Sequence, residues 1–470
     1  MEPAATRPRP SFRRGDEVAL AIDRMAYGGR GVGRIDGYVV FVPDTAPGDR
    51  VRARLWRVRP AYAEADLVGV ESPSALRTVP PCPHFGPCGG CVWQHLGYAD
   101  QLRAKESIVR ESLAHLAGLR DVEVRPILAP ADPWAYRNKM EFTFHPDGTL
   151  GLHRRGAFDQ IAPINTCLIQ SAAANEALRV VRDWADASGL SRYDARAHTG
   201  LLRQVVIREG KRTGEMMVAL ITTAPEVPAA RDLAARLLAG GRITSVLLGV
   251  NPGPSDGLPL AGVSVLAGRP YIHEHLAGLR FRIGLETFFQ TNTAQAEQMI
   301  EVVDALAGLR GGETAFDLYS GVGTFSLALA RRAERVYGLE IVASAVETAR
   351  ENAALNGIGN AEFISGDVRR GLPDLLARVG PPHLLVLDPP RSGAGSRVMR
   401  RVIAAAAPRI IYISCNPTTL APDLGDLVRA GYVIRTVQPL DLFPHTYHVE
   451  CVVLLERNGA PNAEGAAAQA

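Results

Sequence analysis

The chain has 470 residues, 47% hydrophobic and 21% charged, with a formal net charge of only +3. That is length for two or three apolar cores, and a balance that by itself announces no nucleic-acid partner. No apolar run reaches the roughly 18 residues needed to span a bilayer, the Arg- and Pro-bearing start lacks a secretion signal's apolar segment, and six cysteines in so long a chain do not read as a disulfide framework. A cytoplasmic, multidomain, monomeric protein without a membrane partner is expected.

The charge is unevenly placed. Residues 1–60 carry 12 Arg against 7 acidic residues, a local balance of +5. Residues 1–14, with Arg7, Arg9, Arg13 and Arg14, read as a basic disordered start. From 15 to 73 the pattern predicts strands at 15–22, 38–43 and 48–55 with a glycine turn at 27–33. Short strands with glycine turns suggest an OB-like β-barrel, and the segment resembles the TRAM RNA-binding module. Such barrels hold single strands on basic and aromatic side chains. Arg30, Arg34, Tyr38, Phe41, Arg52 and Arg54 are candidates for that face, each Arg having a solvated basic surface as its alternative.

Residues 74–285 read as a β-rich central domain. Apolar residues at helical spacing over 98–119 predict a linking helix with a packing role, and alternating runs at 139–144 and 203–208 predict strands. Cys82, Cys88 and Cys91 lie in a Pro/Gly-rich stretch, with Cys167 far along the chain. Three close thiolates and one distant one can complete a four-thiolate site, and spacing alone does not separate zinc from an iron–sulfur cluster. Residues 136–139, Tyr-Arg-Asn-Lys, are a candidate RNA-contacting edge or a solvated strand end.

Residues 286–458 alternate strand and helix patterns. Asp-Leu-Tyr-Ser-Gly-Val-Gly-Thr-Phe, 317–325, follows a predicted strand and opens a predicted helix, where a glycine turn lets backbone approach a nucleotide-like ligand. The next strands end on Glu340, Asp367, Asp388 and Cys415. Polar residues at successive strand ends are the mark of a doubly wound α/β sheet, which binds ligands there. A Cys ending a buried strand is more often a packed small hydrophobe, the reading Cys451 keeps, but Ser-Cys-Asn-Pro at the ligand end marks Cys415 as a nucleophile. Glu450 interrupts an apolar strand, where an unpaired carboxylate is costly unless it has a special role. His445 and His448 read as structural. The Gly/Ala-rich tail, 459–470, reads as disordered.

The set DLYSGVGTF, LDPPR, SCNP and PHTYHVE, preceded by FFQTN at 288–292, resembles the S-adenosylmethionine (SAM)-dependent RNA uracil-C5 methyltransferases over nearly the whole chain. The resemblance implies a class I methyltransferase sheet, with Gln290, Tyr319, Thr324, Glu340, Asp367 and Asp388 lining the SAM site. It implies Cys415 as nucleophile, Glu450 as base, and a [4Fe–4S] cluster on Cys82, Cys88, Cys91 and Cys167. It also implies an RNA substrate, with 23S ribosomal RNA favoured over tRNA because the bacterial tRNA-specific relatives generally lack the barrel.

The chemistry accounts for these residue types. Uracil C5 is a poor nucleophile until a thiolate adds to C6, and the C5 proton must then be removed before the thiolate can leave. The base must stand outside any stack. Two other readings are an RNA cytosine-C5 methyltransferase and a non-catalytic iron–sulfur RNA-binding protein.

Overall fold

The computed structural model describes residues 12–255, 257 and 259–459, so the expectations for 1–11 and 460–470 lie outside the described residues. β1 (Glu17–Met25), β2 (Gly31–Ile35), β3 (Tyr38–Val42), β4 (Arg50–Val58) and β5 (Tyr62–Ser72) form a closed barrel in the order β1-β2-β3-β5-β4. Alternation drives it: Val18, Leu20 and Ile22 of β1 and Val51, Ala53 and Leu55 of β4 face inward between exposed neighbours. The predicted turn at 27–33 is shorter than expected. It closes between the Ala26 amide and the Arg30 carbonyl at 2.8 Å, and Gly31 already belongs to β2. Gly33 is required inside that strand, since a β-carbon there would stand 2.2 Å from the Ala21 carbonyl oxygen.

The predicted linking helix is α1 (Tyr98–Ala117), stopped by Gly118 in the left-handed conformation. The central sheet has the order β12-β11-β10-β9-β6-β7-β8. Its strands are β6 (Lys139–Phe144), β7 (Leu150–His153), β8 (Ile161–Pro163), β9 (Leu202–Glu209), β10 (Met216–Thr222), β11 (Ile243–Val250) and β12 (Gly262–Gly268). α2 (Ala172–Ser188) and α3 (Ala230–Ala239) cover one face, burying Leu178, Val181, Trp184, Leu233 and Leu237. The opposite face gives Val206, Met217, Ala219, Ile221 and Leu247 to a cluster shared with the hairpin of β13 (Tyr271–Leu276) and β14 (Leu279–Gly284). That cluster continues into the C-terminal region, so one core joins the two.

The C-terminal sheet runs β17-β16-β15-β18-β19-β21-β20. Its strands are β15 (Thr314–Leu318), β16 (Arg335–Glu340), β17 (Ala361–Ser365), β18 (Leu384–Leu387), β19 (Arg409–Ser414), β20 (Tyr432–Leu440) and β21 (Glu450–Arg457). The first five are parallel, and β21 lies antiparallel between β19 and β20. The buried strands read as near-continuous apolar runs, as parallel strands covered on both faces do. The helices are α4 (Thr293–Ala307), α5 (Thr324–Ala330), α6 (Ala343–Leu355), α7 (Val368–Val379), α8 (Gly395–Ala405) and α9 (Pro417–Arg429). Strand order reverses between β15 and β18, which opens a ligand crevice at their carboxyl ends. No helix among the described residues is long and apolar enough to cross a membrane.

Candidate active site

The crevice is built from strand ends. β15 ends at Leu318, and Tyr319 follows with φ +70°, a left-handed conformation that is strained for an aromatic residue. The strain is held because the Tyr319 and Ser320 amides both donate to the Leu339 carbonyl, at 2.9 and 3.1 Å. Glu340, ending β16, pins the same turn: one carboxylate oxygen accepts from the Gly321 amide at 3.0 Å, the other from the Val342 amide at 2.8 Å. Beneath the turn Asp317 is fully buried, with one oxygen bonded to Ser326 at 2.5 Å and the other without a partner. Burial pushes its pKa up to about 6. Thr324, half-buried, opens α5 behind Gly323.

Asp367 has a second duty. It caps α7 by accepting from the Arg369 amide at 2.8 Å, and the Arg369 guanidinium holds its carboxyl down at about 2. Gln290 is positioned through its carbonyl, which accepts from the Asn138 side chain at 2.9 Å. Here the structure corrects one expectation about residues 136–139. Tyr136 and Asn138 are buried, and Tyr136 donates to the Pro444 carbonyl at 3.3 Å, so these two brace the crevice from within and cannot serve as an RNA-contacting edge.

The sheet register brings Cys415 and Glu450 together. Ser414 stands opposite Cys451 in the β19/β21 ladder, so the next step along the antiparallel pair places Cys415 beside Glu450. Asn416 caps α9, accepting from the Thr418 amide at 3.0 Å, and its side-chain amide donates to the Arg391 carbonyl at 3.1 Å. The cysteine loop is thus tied to the loop 388–391. Glu450 is 3% exposed. Burial first and Asp388 second push its carboxyl well above the usual range, while Arg391 opposes them. Asp388 is pushed up to about 7 by burial and by Asp317. The Cys415 thiol is pushed up to about 12, chiefly by burial and then by Glu450, with Arg391 again the opposing charge. Arg391 itself lies against the His448 ring, 2.6 Å from Nε2. Its role was not read from the sequence, although it closes the Asp-Pro-Pro-Arg motif. Cys451 is fully buried among apolar neighbours, as expected.

The loop entering β21 is held from distant parts of the chain. His445 has φ +65°, and its carbonyl accepts the amides of Val92 and Trp93 at 2.9 and 3.0 Å. Its ring is stacked on Trp134 at 3.9 Å. Lys105 of α1, fully buried, meets Asp441 at 2.5 Å and the Phe443 carbonyl at 3.0 Å. The linking helix therefore does more than pack.

All four cysteines of the expected thiolate site are free and half-buried. Burial pushes Cys91 up to about 12 and Cys167 up to about 11, and in both cases the neighbouring thiols add to the effect. The four therefore share one locality. Yet among the described residues no three His, Cys, Asp or Glu side chains are grouped to hold a metal ion. The compact tetrahedron of a single zinc is not preformed.

On the barrel, Arg30 pairs with Glu64 at 2.8 Å, Arg54 with Glu17 at 2.6 Å, Arg52 with Glu17 at 3.7 Å and Arg34 with Asp23 at 3.6 Å. These Arg side chains remain partly exposed, where ion pairs are weak and exchange readily with phosphate. Tyr38 donates to the Arg59 carbonyl at 2.6 Å, and Phe41 packs edge-on to Tyr62.

A doubly wound sheet with a glycine turn after one strand, a carboxylate at the end of the next and a thiol at a strand end is the frame of a SAM-dependent methyltransferase. Residues 265–367 and 381–458 match the family described as tRNA (Uracil-5-)-methyltransferase, and residues 12–68 match the TRAM domain. A protein of Caldanaerobacter subterraneus subsp. tengcongensis described as an uncharacterized RNA methyltransferase is 38% identical over 95% of this chain and 100% of its own. One of Porphyromonas gingivalis is 39% identical over 93% and 100%. The crystal structure of Pyrococcus abyssi tRNA (uracil-54, C5)-methyltransferase with S-adenosyl-L-homocysteine superposes with a TM-score of 0.75, at 30% identity, over 93% of this chain and 99% of that one. The chain belongs to the RNA uracil-5-methyltransferase family and is a SAM-dependent RNA methyltransferase with a TRAM barrel.

Proposed function

We propose that the protein forms 5-methyluridine by adding the Cys415 thiolate to uracil C6, with Glu450 as the base that removes the C5 proton. The juxtaposition of Cys415, Glu450, Asp388 and Arg391 carries this reading. In the RNA-free site, burial and two carboxyls keep the thiol protonated, so its proton must pass to solvent as the uracil arrives, which leaves Glu450 free for the later C5 proton. Addition to C6 moves electron density to C5, which takes the methyl group from SAM. Glu450, with its raised affinity for protons, then accepts the C5 proton, and the C6–S bond breaks to restore both ring and thiolate. Gln290, Tyr319, Thr324, Glu340, Asp367 and Asp388 would line the SAM site, with Glu340 facing the ribose.

For the target, the barrel favoured 23S ribosomal RNA. A second reading, tRNA, is supported by the Pyrococcus abyssi protein: a match over 93% of this chain leaves too few residues unmatched to omit the barrel. The same proposal assigns Cys82, Cys88, Cys91 and Cys167 to a [4Fe–4S] cluster. The family resemblance supports this assignment and the four thiols are free, although among the described residues no three His, Cys, Asp or Glu side chains are grouped to hold a metal ion. A cluster there would cross-link the loop 82–91 to residue 167, and methyl transfer itself requires no electron.

The test is incubation with methyl-labelled SAM and unmodified ribosomal RNA or tRNA, followed by mass spectrometry of the nucleosides. Label in 5-methyluridine that depends on Cys415 supports the reading, and the labelled RNA decides the target. Label in 5-methylcytidine, or in neither RNA, overturns it.

A further inference from the structure

The barrel reaches into the catalytic crevice. The β1–β2 turn, residues 26–30, carries Tyr27, whose ring meets Tyr447 edge-on at 5.3 Å and His448 at 6.4 Å. Tyr447 and His448 lie 4.0 Å apart, and Phe443 packs edge-on to His448 at 5.9 Å. These four rings form one aromatic group just before Glu450, beside the Arg391 guanidinium that His448 touches.

The turn is fixed in that position. The Trp93 indole donates to the Gly29 carbonyl at 3.1 Å, and a β-carbon on Gly29 would stand 3.0 Å from the Tyr447 ring and 3.4 Å from Val92. Gly29 also has φ +86°, so the close approach and the backbone both call for glycine. Behind the turn, Met25, Ala46, Trp93, Leu96 and Ile108 form a small buried cluster against which Tyr27 and Tyr447 pack. Tyr27 itself is half-buried, with Arg391 and Cys415 among the groups its hydroxyl senses. An aromatic face in this place can receive a base taken out of its stack, since ring stacking contributes about 1–3 kcal/mol per base.

We infer that Tyr27, delivered by the barrel turn, is a positioning residue of the catalytic pocket: its ring, with Tyr447 and His448, walls the space in which the extruded uracil meets Cys415. The inference rests on the proposed covalent mechanism. It makes the barrel part of the active site in addition to its RNA-binding surface. RNA seated on the barrel then places its target base against a wall that the same barrel supplies.

The experiment uses the full chain and RNA containing 5-fluorouridine, in the RNA class that the wild type methylates. Fluorine at C5 cannot leave as a proton, so the Cys415–C6 bond persists as a denaturation-stable adduct. The rate of adduct formation at saturating RNA is compared for wild type, Tyr27→Ala, Tyr27→Leu and Tyr27→Phe, with RNA affinity and melting temperature measured separately. Tyr27→Ala and Tyr27→Leu are expected to slow adduct formation at least tenfold while RNA affinity changes less than threefold. Tyr27→Phe, which keeps the ring, stays within threefold of wild type.

Leu fills the space but offers no aromatic face, so it keeps the test sound if the Ala variant folds poorly. Wild-type rates in Tyr27→Leu, or a loss explained by weaker RNA binding alone, overturn the inference. A wild-type protein that forms no adduct overturns the proposed mechanism instead.

Discussion

Lys105, in the helix after the cysteine-rich loop, and Asp441, in the loop that leads to Glu450, form a fully buried ion pair at 2.5 Å across 336 residues of sequence. Tyr98 adds a second bond to the same carboxylate at 2.8 Å. Removing one partner strands the other charge, at a cost of about 3–5 kcal/mol. Lys105→Met should therefore lower stability to chemical denaturation by that order, and Lys105→Met with Asp441→Leu should recover a substantial part. Equal stability of the wild type and Lys105→Met would show that the pair is not what holds the loop.

Cys415→Ala should abolish methylation while SAM binding, measured by calorimetry, stays within threefold. Glu450→Gln should accumulate a covalent protein–RNA adduct on unmodified RNA, visible on a denaturing gel, because the C5 proton has no acceptor. Residual methylation by Cys415→Ala would end the thiolate mechanism.

The carboxyls set the pH dependence. Glu450 must be ionised to accept a proton, and both it and Asp388 have raised pKa values, about 7 for Asp388. Product release should therefore accelerate as pH rises and slow on the acid side, by about tenfold per pH unit well below the operative pKa. Stability runs the other way. A carboxyl whose folded pKa exceeds its unfolded value stabilises fully below about 4, and that contribution is lost as pH rises through the folded pKa. For Asp317 and Asp388 the window runs from about 4 to about 6 and about 7 respectively. Asp317→Asn should reduce the fall in melting temperature between pH 5 and pH 8 in SAM-free protein, and an unchanged fall would show that Asp317 is not its source.

Glu340 pins the glycine turn and is proposed to take the ribose, so Glu340→Ala should weaken SAM binding at least tenfold, about 1.4 kcal/mol, with RNA affinity unaffected. Asp367→Asn should cost less, because Arg369 already occupies that carboxylate. Calorimetric titration of both variants checks the order, and a larger loss at Asp367 would reverse the assignment.

Protein purified without oxygen should contain iron and sulfide that fall sharply in Cys88→Ser and in Cys167→Ser. Zinc in place of iron would replace the cluster with a single ion. Neither metal would leave the four thiols without the proposed role.

What the sequence disclosed was local. Glu340, Asp367, Asp388 and Cys415 each close or closely follow an apolar run, so their placement at the carboxyl ends of the strands followed from the parallel sheet alone. Glu450 stood out as a carboxylate in an apolar strand. The interlock of distant segments was not legible, because a contact across hundreds of residues leaves no periodic trace. Lys105 was not singled out within the packing helix, although it precedes Ile108 and Val109 by three and four positions and so lies on their buried stripe. Gly31 and Gly33 read as turn residues when they serve close strand crossing. Asn138 read as surface because nothing nearby shows that its partners are the Gln290 carbonyl and Thr293.

The stacking of Trp134 on His445 makes the loop before Glu450 optically self-reporting. The chain has four tryptophans, of which Trp93 and Trp184 are buried and Trp56 is exposed on the barrel. Burial holds His445 down near 4, so its ring is neutral under ordinary conditions and does not act as a charged quencher. Any event that lifts the loop off its clamp separates the two rings, and the emission of Trp134 then shifts without an added label. Intrinsic fluorescence in stopped flow would thus report whether the Trp134–His445 stack opens during the reaction in the unmodified protein.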